Sequence, residues 1–205
     1  MPGVPELGPS PWGAGGLDRG RFSYFPVVPG KLEFAVGIRQ RILKEKPEVV
    51  AVELPVSLEE AYLQAVDRLP AMSVLLYPDP VDEDHAIYVP IEPADPFTEA
   101  IRTAQEIGAR VLFLEPDDNE RPHLPDNYPD TYAIRRIGVE AYIEAYRVYP
   151  QARNEDVAAH AAGMAWKLQG ADPLARVLVA VSLNLLDPLL DAMEKPQDPP
   201  TSKDK

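Results

Sequence analysis

Cysteine is absent from the 205 residues, and histidine occurs three times, as His85, His123 and His160. The first absence excludes disulfides, thiolate nucleophiles and Cys-ligated zinc or iron–sulfur centres. The second leaves little imidazole, the commonest metal ligand and the usual base at neutral pH. Cations are also scarce, with 20 Lys and Arg against 33 Asp and Glu, for a formal net charge of −13. Nucleic-acid backbones and anionic membrane surfaces call for clustered Lys and Arg, so neither is an expected partner. No run of ~18 apolar residues is available to span a bilayer. No basic segment followed by an apolar core marks a secretory signal, and the expected location is cytoplasmic. HExxH, GxSxG and a glycine-rich phosphate loop are missing as well. Val28-Pro29-Gly30-Lys31 sets a glycine beside a lysine but lacks the Walker spacing.

What is present suits one soluble core: 45% of the residues are hydrophobic and 26% charged. Residues 1–20 carry four prolines and six glycines without helical or strand periodicity, which predicts a disordered tail. Residues 195–205, KPQDPPTSKDK, read as a polar, proline-rich tail or a linker to a further segment. Residues 21–194 are then a single α/β domain. Strands are expected at Phe22–Val28, Glu48–Leu54, Met72–Tyr77, Ala86–Ile91, Arg110–Leu114 and Arg176–Ser182. Helices are expected at Lys31–Lys46, Ser57–Leu69, Asp95–Gly108, Tyr132–Val148, Asn154–Leu168 and Leu185–Glu194. Ser57 and Glu60 have capping-box spacing, and Asp95-Pro96 with Gly108 supplies a helix start and stop. The acidic turn PDPVDEDH suits a pairing of the third and fourth strands, and the two helices after residue 131 suit a helical hairpin. Strands alternating with helices predict a three-layer α/β/α sandwich around a mostly parallel sheet of about six strands.

The stretch KPEVVAVELP runs an apolar strand into Glu53, where the backbone should leave the sheet. Ligands of open α/β sheets bind beyond the carboxyl ends of the strands. Glu92 and Glu115 also fall at strand ends, and Glu53 and Glu115 converge if their strands run parallel. Carboxylates held close raise one another's pKa and suit acid-base or metal chemistry; solvated or salt-paired glutamates are the structural alternative. Glu53, between Leu54 and four apolar residues, has the driest surroundings. His160 follows Asp156 by one helical turn and Arg153 by two, which suggests an ion-paired helix face. His85, in an acidic turn, reads as solvated or salt-paired, and His123, between prolines in the long loop, has no partner at ligand spacing. The loop Asp117-Asp118-Asn119-Glu120 lacks the glycine and alternating oxygens of an EF-hand. Tyr142 and Tyr146 share one helix face, as core or interface side chains do.

In order, PEVVAVELP, the ARNEDVAAH helix start and the late RVLVAVSLNLLDPLL segment resemble the superfamily that groups TraB, the Tiki proteases, the haem-binding ChaN-type lipoproteins and erythromycin esterase. YVPIEPADPFTEAIRTAQEIGARVLFLEP is similar to an uncharacterised bacterial branch of it. The resemblance covers about Arg21 to Glu194 and implies an α/β fold with a strand-end cleft. The family's two GxxH signatures depart here: the first strand region, FSYFPVVPGKLEF, has no histidine, and Val181 and Asn184 stand where the second glycine and histidine are expected. The resemblance therefore implies a degenerate, non-metal member that binds a small ligand or protein partner, with no cofactor. The alternative is an active ester or peptide hydrolase. Its catalytic candidates are Glu53 as general base, Arg153 as stabiliser of negative charge and Glu115 as orienter of water or metal. Asn184, Glu92 and Asp117 are the candidate ligand-binding residues.

Overall fold

The computed structural model describes residues 17–78, 86–116, 122–149, 151 and 153–200. The strands are β1 (Asp18–Arg19), a charged pair, and six built on short apolar runs, β2 (Phe22–Val27), β3 (Val49–Pro55), β4 (Ser73–Pro78), β5 (Ala86–Ile91), β6 (Arg110–Glu115) and β7 (Val177–Ser182). The helices are α1 (Leu32–Glu45), α2 (Glu59–Val66), α3 (Pro96–Ile107), α4 (Ile134–Arg147), α5 (Glu155–Gln169) and α6 (Leu183–Ala192). Short 3-10 turns at Val56–Leu58 and Thr131–Ala133 lead into α2 and α4.

The main sheet has the order β1-β2-β7-β3-β6. Strands β2, β7, β3 and β6 run parallel to one another, and β1 runs antiparallel to β2. Every residue of β7 is buried, as are Val49 to Glu53 of β3. That is why both strands read as continuous apolar runs: a central parallel strand is covered on both faces and cannot alternate. Helix α1 packs on α3 and α5 on α6.

The main sheet thus has five strands where about six were expected. Strands β4 and β5 pair as foreseen, but as a separate antiparallel ribbon. Their alternation explains the separation. Leu75 and Val89 pack against the core, whereas Val74, Leu76 and Tyr88 face out. Pro90, opposite Val74, has no N–H to give a neighbouring strand. Conversely, Asp18 and Arg19, assigned to the tail, form β1 through pairing with Ser23 and Phe22.

Asp95 caps α3 as expected, its side chain accepting the Thr98 N–H at 2.8 Å, with Pro96 first in the helix and left-handed Gly108 (φ 73°) closing it. The Ser57 box is not the start of α2. Ser57 lies within the preceding 3-10 turn, and the N-cap of α2 is Leu58, with no side-chain cap. The chief helical neighbour of α5 is α6 rather than α4, so the expected α4–α5 hairpin is replaced by an α5–α6 pair. Residues 195 and 197, assigned to the tail, are hydrogen-bonded to Gln169 of α5.

Candidate functional site

The carboxyl ends of β3, β7 and β6 bring Glu53, Ser182 and Glu115 to one edge of the sheet. Glu53 is 1% exposed. Its Oε2 accepts the Ser182 backbone N–H at 2.5 Å, and its Oε1 accepts the Ser182 hydroxyl at 2.8 Å. Ser182 is both the last residue of β7 and the N-cap of α6. A helix N-terminus has unsatisfied N–H groups and a partial positive charge, which favour a carboxylate there. Glu53 therefore fastens the end of one central strand to the strand-to-helix turn of its neighbour.

Glu115 lies 4% exposed at the end of β6, where the β3–β6 register shifts between Val52 and Pro55. His160 of α5 is 2% exposed, and its Nε2 stands 3.4 Å from Glu115 Oε1, within ion-pair range but without hydrogen-bond geometry. This cross-element contact replaces the expected Asp156–His160–Arg153 helix face: Asp156 is exposed, and Arg153 precedes the helix. Gly163 makes the approach of α5 to this edge feasible, because a Cβ there would sit 2.8 Å from Pro116 Cγ. Among the described residues, His160 Nδ1 is buried without a hydrogen-bond partner, and so is Oδ1 of Asn184, a residue 8% exposed in the first turn of α6. Four residues after Asn184, Pro188 lies inside α6 and has no N–H to give the Asn184 carbonyl.

Tyrosines flank these groups. Tyr128 stacks on Tyr146 with ring centroids 5.7 Å apart, and Tyr142 Oη donates to the Pro129 carbonyl at 2.9 Å. Burial raises the Tyr128 phenol well above its ordinary value, and the nearby negative charges of Asp126 and Glu53 push the same way. Burial likewise raises Tyr142, helped by Glu33 and Asp130, and lifts Tyr146 to about 12. Glu33 is itself buried on α1, with Oε1 lacking a hydrogen bond. Among the described residues, no group of three or more His, Asp or Glu side chains is arranged to hold a metal ion.

Of the sequence candidates, Glu53, Glu115 and Asn184 fall at strand or helix ends of the main sheet. Arg153 does not join them. Its side chain is 63% exposed, 3.8 Å from Asp191, in a cleft whose lining excludes Glu53, Glu115 and Asn184. Glu92 follows the ribbon strand β5, so the convergence expected of parallel strand ends does not extend to it. Asp117 lies outside the described residues, as does His85; His123 is exposed. Sequence reasoning missed Ser182, Glu33 and Tyr128. A serine at the end of an apolar strand and just before a helix is an N-cap signal that could have flagged the first. Glu33 and Tyr128 carried no comparable signal.

Comparison of the chain with protein-family models, with curated proteins and with solved structures gives no match.

Proposed function

We propose that this chain is a divergent, metal-independent relative of the TraB, Tiki, ChaN-type and erythromycin-esterase superfamily that binds a small polar ligand at the strand-end edge of its sheet. The observation that carries this reading is the engagement of Glu53. A general base needs a carboxylate oxygen within hydrogen-bond reach of the proton it removes, and the donors that both Glu53 oxygens meet are those of Ser182, itself 1% exposed and out of a substrate's reach. Freeing one oxygen would leave a buried donor unsatisfied, at a cost of about 1–3 kcal/mol. The ligand-facing groups in this reading are His160 and Asn184, whose buried Nδ1 and Oδ1 lack hydrogen-bond partners. The imidazole Nδ1 can donate or accept, and the Asn oxygen accepts. A small amide or hydroxyl compound satisfies such a set. The helix pairs α1–α3 and α5–α6, and the burial of β7 throughout, support an α/β/α layering with one pair on each face.

The test is a fragment screen of small amides and alcohols by NMR, read at the His160 ring and Asn184 side-chain signals. Hits should perturb both signals and weaken in Asn184→Ala and His160→Ala. If Glu53→Gln instead abolishes ester or peptide turnover without lowering thermal stability, the hydrolase reading is correct and this one fails.

A further inference from the structure

A cleft of about 380 Å³ opens between the start of α5, the end of α6 and the segment after it. None of Glu53, Glu115, His160 or Asn184 lines it, so it is separate from the strand-end edge. Its outer wall is the chain beyond α6, and that wall is fastened. Gln169 Nε2 donates to the Lys195 carbonyl at 2.8 Å, Gln169 Oε1 accepts the Gln197 N–H at 2.9 Å, and Gln197 Nε2 donates to the Ala192 carbonyl at 2.6 Å. A wall held this way spares a ligand part of the ordering cost of binding.

The floor is apolar, formed by Val157, Ala158, Ala162, Pro188 and Ala192. The ionisable residues of the lining are two cations, Arg153 and Lys195, and one carboxylate, Asp191. Arg153 and Asp191 stand 3.8 Å apart and are both largely exposed. Such a pair is weak, and a ligand anion can displace it. In a chain of net charge −13, this cleft joins an apolar floor to an excess of positive charge. Ligand sites typically have volumes of roughly 300–1,000 Å³, so this one suits a small molecule. We propose that the cleft binds a short aliphatic carboxylate, its head on Arg153 and Lys195 and its hydrocarbon body on the Val157–Ala192 floor.

Titration of the full chain with octanoate, followed by NMR, tests this, with octylamine as the probe of opposite charge. Octanoate should saturate shifts of the Val157, Ala162 and Ala192 amides, and octylamine should bind about tenfold more weakly. Arg153→Gln and Lys195→Gln should each weaken octanoate about two- to fivefold, and Asp191→Asn, which removes the competing carboxylate, should tighten it by a similar factor. All three positions are at the exposed mouth, so the variants leave the fold intact. Equal binding of octylamine, absence of saturable shifts, or shifts confined to His160 and Asn184 would overturn the proposal. The strand-end reading stands or falls separately, on the fragment screen.

Discussion

Glu53 of β3 and Ser182 of β7 form a two-point lock: one carboxylate oxygen takes the serine N–H at 2.5 Å and the other its hydroxyl at 2.8 Å. The strands are neighbours in the sheet, so the lock ties the end of one to the turn where the other becomes α6. Its energetic weight comes from burial. In a low-dielectric interior a charge-assisted hydrogen bond is stronger than in water, and a group that loses its partner is costlier.

Gly163→Ala should destabilise the protein even though alanine is the better helix former by about 1 kcal/mol. The new Cβ would lie 2.8 Å from Pro116 Cγ, and a proline ring has little freedom to give way. Overpacking of this kind costs about 1–3 kcal/mol, so the clash outweighs the propensity. Thermal unfolding should show a lower midpoint for the variant; an unchanged or higher one would mean that α5 shifts freely along β6.

Alkaline pH should unfold the chain through its buried phenols. Burial raises Tyr24 and Tyr146 to about 12 and also raises Tyr62, Tyr128 and Tyr142. A folded pKa above the unfolded value of about 10 means that the native state holds its protons longer. The stability tied to those protons is complete below about pH 10 and is lost as the pH rises through the folded values. The phenolate absorbance of these buried tyrosines and the far-UV circular dichroism should therefore change together above about pH 10. Ionisation of all nine tyrosines near pH 10 with the circular dichroism unchanged would contradict this burial.

Divalent metals should leave the melting temperature unchanged. Among the described residues no three ligating side chains gather, and Asn184 is an amide that ligates weakly. Any metal that bound the native state would raise its stability by mass action. A thermal-shift panel of zinc, manganese, magnesium and calcium should be flat; a concentration-dependent rise with any of them would contradict the metal-independent reading.

Much of this fold is legible in the sequence because its central strands are buried on both sides. VVAV and VLVAV, which lead up to Glu53 and Ser182, are apolar throughout, and Asp95-Pro96 with Gly108 marks both ends of α3. The ribbon β4–β5 was harder to assign, since its apolar residues do not all face a core: Leu76 and Tyr88 are about 70% exposed. Which sheet a strand joins is decided by long-range packing, and local pattern does not encode it. The location of Glu53 was readable from the end of an apolar run, but its role was not. That role depends on Ser182, 129 residues away in sequence. Arg153 illustrates the reverse case: proximity to His160 along the chain suggested a shared face, yet the helix begins after Arg153 and turns His160 inward to Glu115.

The double-mutant cycle of Glu53→Gln and Ser182→Ala, read by urea unfolding, tests the central claim most directly. Glu53→Gln can keep its oxygen on the Ser182 N–H and turn its amide N–H to the Ser182 hydroxyl, which also accepts, so it exchanges charge-assisted bonds for neutral ones and should cost about 1–2 kcal/mol; Ser182→Ala removes the hydroxyl bond and should cost about 1–2 kcal/mol. The two changes act on the same lock, so the double variant should lose less than the sum, with a coupling of about 1 kcal/mol or more. Strict additivity, or a Glu53→Gln variant as stable as the original chain, would show that Glu53 does not hold the sheet edge.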